Sequence, residues 1–166
     1  MVAKRQYDSD RHHRRSARLD GYDYSRVGIY FVTVCCWEKE CLLGTIDEGL
    51  MQLSDAGLIA EQVWLGLPDR FGGVILDSYV IMPNHLHGIV QITEREGSSA
   101  QSQGSVLRAY KSISAISINR LLGRSERPVW QRNYHEHIVR DATSLPAIRE
   151  YIPERWNGDK ENPTNG

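Results

Sequence analysis

The sequence contains little cysteine and no long apolar run, and each shortage excludes a class of protein. Its 166 residues include only three cysteines, Cys35, Cys36 and Cys41, without Cys-x-x-Cys spacing. This argues against a disulfide framework and indicates a reducing compartment, so we expect a cytoplasmic protein. No stretch approaches the roughly 18 consecutive apolar residues of a membrane span, and the N-terminus is polar rather than signal-like. We therefore expect no membrane partner.

The net charge of −1 conceals an uneven distribution of basic residues. Residues 105–140 hold seven arginines and lysines against two glutamates, and the polar segment 1–25 carries a further basic cluster. Such a local excess suits a polyanion, and arginine suits phosphate because its planar fork binds two oxygens at once. A solvated charged face explains either stretch, taken alone, about equally well.

The order of predicted elements indicates a single α+β domain. A basic polar arm (1–25) precedes the domain (26–158) and a polar tail (159–166) follows it. Composition and turn residues predict strands at 28–36, 73–82, 85–93 and 129–139, a small hairpin at 41–53, and helices at 54–67, 105–122 and 143–151, the last ended by Pro153. The order β-α-β-β-α-β with a C-terminal helix predicts a ferredoxin-like antiparallel sheet.

Two histidines in the apolar run YVIMPNHLHGIVQI (79–92) are the strongest candidates for a metal site. Residues i and i+2 of a strand point to the same face, so His85 and His87 would project side by side. An unpartnered imidazole is expensive to bury in apolar surroundings. Two histidines leave open positions on a divalent ion, as a catalytic site requires.

A second pair with the same spacing, His135 and His137, lies in RNYHEHIVR. Its neighbours are polar and basic, which favours a surface or DNA-facing pair over a metal site. A metal phosphohydrolase that uses both pairs is a further hypothesis.

Tyr151 is the candidate nucleophile and Tyr134 is the alternative. A tyrosine on an amphipathic helix usually serves packing. If it faces the histidines, however, it can attack a phosphodiester and form a covalent ester that conserves the bond energy for rejoining.

Several segments, taken in order along residues 14–160, resemble the REP-associated tyrosine transposases. These are relatives of the single-strand insertion-sequence transposases of the HUH (His-hydrophobic-His) class. The segments are Arg14–Ser25, GIYFVTVC (28–35), YVIMPNHLHGI (79–89), AYKSISAISINR (109–120), WQRNYHEHIVRD (130–141) and IREYI (148–152).

The resemblance implies a transposase that binds single-stranded hairpin (REP-type) DNA and acts as a homodimer. It implies cleavage by tyrosine attack, which leaves a 5′-phosphotyrosine and a free 3′-OH and permits rejoining. In this chain Tyr151 matches the nucleophile, and His85 and His87 match the ligands of Mg²⁺ or Mn²⁺. The basic residues that match or flank DNA-facing segments are Arg14, Arg15, Arg18, Arg108, Lys111, Arg120 and Arg132.

The segment after the tyrosine departs from the family pattern. The family reads Tyr-Ile-x-x-Asn-Pro-x-x-Trp, with the asparagine one helical turn after the tyrosine, where it completes the metal site. This chain reads YIPERW (151–156), as though x-x-Asn were missing. Arg155 stands four residues after Tyr151, at the position one helical turn on, and as a cation it cannot bind a metal. The alternative hypothesis is therefore a nucleic-acid-binding module on the same fold that has lost catalysis.

Overall fold

The computed structural model describes residues 27–94, 102–140 and 142–158, with residues 142 and 153–158 described as backbone only. The basic arm and the polar tail lie outside this range. The strands are β1 (Gly28–Cys35), β2 (Gly44–Asp47), β3 (Leu50–Leu53), β4 (Val74–Met82), β5 (His85–Ile92) and β6 (His135–Val139). The α-helices are α1 (Asp55–Leu65), α2 (Leu67–Arg70), α3 (Gln103–Leu121) and α4 (Leu145–Gly158).

Four strands form one antiparallel sheet in the order β4-β5-β1-β6, and β2 and β3 form a separate hairpin. The predicted mixed α+β class with an antiparallel sheet is confirmed, and the sheet strands and longer helices follow the chain in the predicted order. The central strand β1 pairs with β5 on one side and β6 on the other. Side chains directly opposite each other in adjacent strands share a face. The register therefore decides which residues meet.

One face of the sheet carries the hydrophobic core. Tyr30, Val32 and Val34 of β1 are fully buried. Against this face pack α1 and α3, whose Trp64 and Tyr110 rings meet edge to face with centroids 5.4 Å apart. The Trp64 indole lies over Gly88 of β5, where an added Cβ would come within 2.4 Å of the ring. Phe31, Thr33 and Cys35 of β1 point to the opposite face of the sheet, away from this core.

The first turn of α1 packs tightly on the segment before β2. Ser54 caps the helix by accepting a hydrogen bond from the Gly57 amide at 3.1 Å, as the sequence predicts, and it donates to the Leu42 carbonyl at 2.7 Å. A Cβ on Gly57 would lie 2.0 Å from the Leu43 carbonyl oxygen. Because a backbone oxygen cannot rotate away, this glycine is a steric requirement of the fold.

We expect Gly57→Ala to lower the free energy of unfolding by about 3 kcal/mol, because α1 must shift off its contact with Leu43. Gly66→Ala is the matched control, since its added Cβ would meet nothing closer than 3.4 Å. Urea unfolding followed by circular dichroism measures both variants. Equal unfolding midpoints for the two variants would contradict the packing described.

Two boundaries differ by several residues from the sequence prediction. Pro153 does not end the last helix, which continues to Gly158. A helical proline costs about 3 kcal/mol, and the burial of Ile152 beside it is one contribution that offsets this cost. The last strand begins at His135 rather than 129: Trp130 forms only an isolated bridge with Cys36, and the Gln131 and Arg132 carbonyls then accept hydrogen bonds from Lys111.

Among residues 27–94, 102–140 and 142–158, no helix has both the length and the apolarity needed to cross a membrane.

Candidate active site

His85 and His87 converge on one point at the start of β5. Their Nε2 atoms are 3.0 Å apart, and the two rings are nearly perpendicular at 77°. A two-residue turn, Pro83–Asn84, reverses the chain from β4 and places His85 as the first residue of the strand. Strand alternation then directs both imidazoles to the face opposite the core.

Each imidazole is oriented by a hydrogen bond at its other ring nitrogen. Asn84 Oδ1 lies 2.6 Å from Nδ1 of His85, and Thr33 Oγ1 lies 2.7 Å from Nδ1 of His87. Metal-binding histidines are usually held in this way, with the second nitrogen bound to a polar partner. In the tautomer in which each Nδ1 carries the proton, both Nε2 atoms present lone pairs to the same place.

The pair fits two adjacent positions of a metal ion. Imidazole nitrogens about 2.1 Å from an ion and at right angles to each other lie about 3.0 Å apart, which matches the observed separation. Within the described residues, no group of three or more His, Cys, Asp or Glu side chains is placed to hold a metal. The opposite-strand partner of His85 is Cys35, and burial raises the pKa of this thiol.

Phe31 connects the histidines to the tyrosine helix. Its ring stacks on the His87 ring, with centroids 5.5 Å apart. It also meets the Tyr151 ring edge to face, with centroids 6.1 Å apart. Tyr151 is 39% exposed. The tyrosine and the histidine pair therefore lie on the same face of the sheet, separated by one phenyl ring.

The helix that carries Tyr151 is anchored to β4 on both sides of this residue. Arg149 donates from Nε to Asp77 Oδ1 at 3.0 Å and from Nη2 to Oδ2 at 2.5 Å. Ile152 is only 2% exposed. Asp77 lies in an irregularity of β4, between Leu76 and Tyr79, where the pairing with β5 shifts. The two anchors set the position of Tyr151.

We expect Asp77→Asn to loosen α4 without unfolding the domain. Hydrogen bonds from Arg149 lower the pKa of Asp77 from its ordinary value of 3.8. A lowered folded-state pKa means that the pair stabilises the docked helix above about pH 4 and loses this effect as the pH falls through the lower value. Amide exchange at neutral pH should accelerate in α4 alone, whereas Asp69→Asn, at an exposed position on α2, should leave it unchanged. Unchanged α4 exchange in Asp77→Asn would contradict the anchoring role.

Comparison with known proteins places the chain in a family. No family model matches it. An uncharacterized protein of Haemophilus influenzae is 40% identical in an alignment of 174 positions, which covers 93% of this chain and 96% of the Haemophilus protein. The chain belongs to the family of that protein.

Two solved structures have a fold similar to that of this chain. A REP-associated tyrosine transposase bound to a REP hairpin is similar over 81% of this chain and 70% of its own, with a TM-score of 0.57 and 18% identity. A protein of Deinococcus radiodurans R1, provisionally described as a transposase, is similar over 82% of this chain and 95% of its own, with a TM-score of 0.52 and 14% identity. This chain thus has a transposase-like fold.

The residues predicted to bind DNA occupy different surroundings. Arg108 and Arg120 are exposed on α3, and Arg132 is exposed before β6. The Lys111 ammonium donates to the Gln131 and Arg132 carbonyls at 2.5 and 2.9 Å, and burial lowers its pKa. This lysine therefore shapes the segment before β6 as well as contributing charge. The arginines of the arm, Arg14, Arg15 and Arg18, lie outside the described residues.

Three residues of the site were not identified from the sequence. In the sequence, Phe31 and Thr33 indicated only a strand at GIYFVTVC, and Asn84 was given no role in the site. The alternation of β1 could have placed Phe31 and Thr33 on one face, but the pairing register was needed to bring that face to the histidines. The polar partner of His87 could have been sought among hydroxyl residues of neighbouring strands.

Proposed function

We propose that this protein binds single-stranded hairpin DNA of the REP type and cleaves and rejoins it through Tyr151. The REP hairpin is the ligand of the similar transposase structure, and the motif resemblance points to the same substrate. By that resemblance we also expect a homodimer.

The observation that carries this proposal is the contact of one phenyl ring with both His87 and Tyr151. A candidate metal-binding pair and a candidate nucleophile, 64 positions apart in the sequence, meet on the same sheet face. A phosphate between them would meet a hydroxyl nucleophile on one side and the histidine pair on the other.

In the proposed reaction the Tyr151 Oη attacks a DNA phosphorus. A bond forms between Oη and phosphorus as the bond from phosphorus to the 3′ oxygen breaks. The tyrosine proton goes to solvent, and the departing 3′ oxygen takes up a proton to become a hydroxyl. The product is a 5′-phosphotyrosine, and the reverse attack by a 3′-OH restores the phosphodiester.

His85 and His87 would hold a divalent ion, which supplies Lewis-acid stabilisation of the phosphate charge when bound. Imidazole suits Mn²⁺ better than Mg²⁺, which prefers oxygen ligands. Asn84 and Thr33 keep the two imidazoles oriented for this purpose. The Arg149–Asp77 ion pair and the buried Ile152 hold the tyrosine on the same side.

The direct test is to incubate the protein with labelled hairpin DNA that carries single-stranded tails, with Mn²⁺ or with EDTA. We expect a covalent protein–DNA band on denaturing gels in Mn²⁺ and none in EDTA. Hydrolysed DNA without a covalent band would support the phosphohydrolase hypothesis instead.

A second candidate function is a DNA-binding module without cleavage. The observation that favours it is the lack of a third His, Cys, Asp or Glu beside the pair among the described residues. Because α4 continues through position 155, the residue one turn after Tyr151 is Arg155. Tight binding of the labelled hairpin with no covalent band in Mn²⁺ would establish this module.

A further inference from the structure

The second histidine pair lies on the same sheet face as the candidate active site. In the register of the sheet, Thr33 of β1 is opposite His87 on one side and opposite His135 on the other. Phe31 is likewise opposite His137. Residues opposite each other in adjacent strands share a face. His87, Thr33 and His135 therefore form one row across three strands.

The two pairs differ in their access to solvent. His87 is buried, with 6% exposure, whereas His135 and His137 are both exposed. The pair of His85 and the buried His87 is suited to hold an ion between fixed nitrogens. The exposed pair is suited to contact a larger ligand that lies across the sheet.

On this face, neither the two strands that carry the histidine pairs, β5 and β6, nor the central strand β1 has a carboxylate. β1 and β5 contain neither Asp nor Glu, and the single acidic residue of β6, Glu136, pairs with Val32 on the core face. Arg132, three residues before His135, is exposed. An imidazole has an N–H to donate in either charge state, so these three strands offer an anion hydrogen-bond donors and present no carboxylate on this face.

We propose that His135 and His137 bind a backbone phosphate of the DNA strand, close to the phosphate that Tyr151 attacks. Two strand spacings separate His87 from His135, about 10 Å. A stacked strand, at about 3.4 Å per nucleotide, covers this distance in about three nucleotides. The pair is thus a substrate-binding subsite that positions the strand and takes no part in the chemical step. This inference rests on the proposed function, since it requires DNA on this face.

The test is the affinity of the double variant His135→Ala/His137→Ala for DNA in EDTA. Fluorescence anisotropy with a labelled hairpin bearing single-stranded tails of randomised sequence gives the dissociation constant. We expect binding about tenfold weaker than that of the unaltered protein, the effect of losing hydrogen bonds to a charged group. His135→Gln/His137→Gln keeps N–H donors at both positions, so it should bind the DNA more tightly than the alanine variant and less tightly than the unaltered protein.

The matched control is Thr45→Ala/Gln52→Ala, an exposed and directly opposed pair on the separate β2–β3 hairpin, which should not change the affinity. Equal affinity of the histidine variant and the unaltered protein would overturn the subsite while leaving the proposed function intact. Loss of Mn²⁺ binding by the histidine variant, with DNA affinity unchanged, would assign the pair to a metal and also overturn it. Failure of the unaltered protein to bind hairpin or single-stranded DNA would overturn the proposed function itself.

Discussion

Tyr151→Phe is expected to abolish the covalent protein–DNA complex, with a loss of at least about 10³-fold, because removal of a nucleophile leaves only binding to the substrate. The substitution deletes one oxygen from a side chain that is 39% exposed. The ring that contacts Phe31 remains, so stability and DNA affinity should be nearly unchanged. Gel analysis of the covalent band and anisotropy on the same preparation measure both properties.

Tyr134→Phe is the matched control for this experiment. Tyr134 is the other candidate nucleophile, and its hydroxyl lies 3.3 Å from Gln103 Oε1, at the start of α3. We expect this variant to form the covalent complex normally. Loss of the complex in Tyr134→Phe, together with its survival in Tyr151→Phe, would reverse the assignment of the nucleophile.

His87→Ala is expected to lower the rate of covalent-complex formation by more than about 100-fold, because it removes one of the two nitrogens that converge on the proposed metal position. Thr33→Val should have a smaller effect in the same direction, about 10-fold, since it removes only the hydrogen bond to Nδ1 of His87. Isothermal titration with Mn²⁺ should show weaker binding in the same order. DNA affinity in EDTA should stay close to that of the unaltered protein in both variants.

A graded effect of this kind distinguishes a metal site from a packing role. His87 is buried and stacks on Phe31, so its loss will also cost some stability. Thr33→Val preserves shape, and its effect on activity therefore reports orientation of the imidazole. If Thr33→Val and His87→Ala both leave Mn²⁺ binding unaltered, the histidine pair is not the metal site.

Local patterns in the sequence were sufficient to predict the type and order of the sheet strands and the longer helices. GIYFVTV has the β-branched and aromatic content of a strand, alternation along HLH has the period of a strand, and Ser54 before an apolar helix is a start signal, so these elements followed from their own residues. The same alternation predicted that His85 and His87 share a face. Elements depend mainly on neighbours in the chain, which is why they are readable without tertiary information.

The assembly of the site depended on contacts between distant segments. Phe31, His87 and Tyr151 come from β1, β5 and α4, and only the strand register and the docking of α4 bring them together. The end of α4 was predicted wrongly because a proline signal, correct as a local tendency, was overridden where Ile152 packs into the domain. Tertiary packing of this type cannot be read from propensity.

The central claim is that the Tyr151 oxygen becomes bonded to DNA, and identification of the modified peptide tests it most directly. Trypsin cleaves after Arg149 and Arg155 and after Arg132 and Arg140, so the two candidate tyrosines fall in separate peptides, EYIPER (150–155) and NYHEHIVR (133–140). The covalent complex formed in Mn²⁺ is digested with trypsin and nuclease and analysed by mass spectrometry. We expect the nucleotide mass on EYIPER, localised to Tyr151. Nucleotide on NYHEHIVR, or hairpin binding without any modified peptide, would contradict the claim.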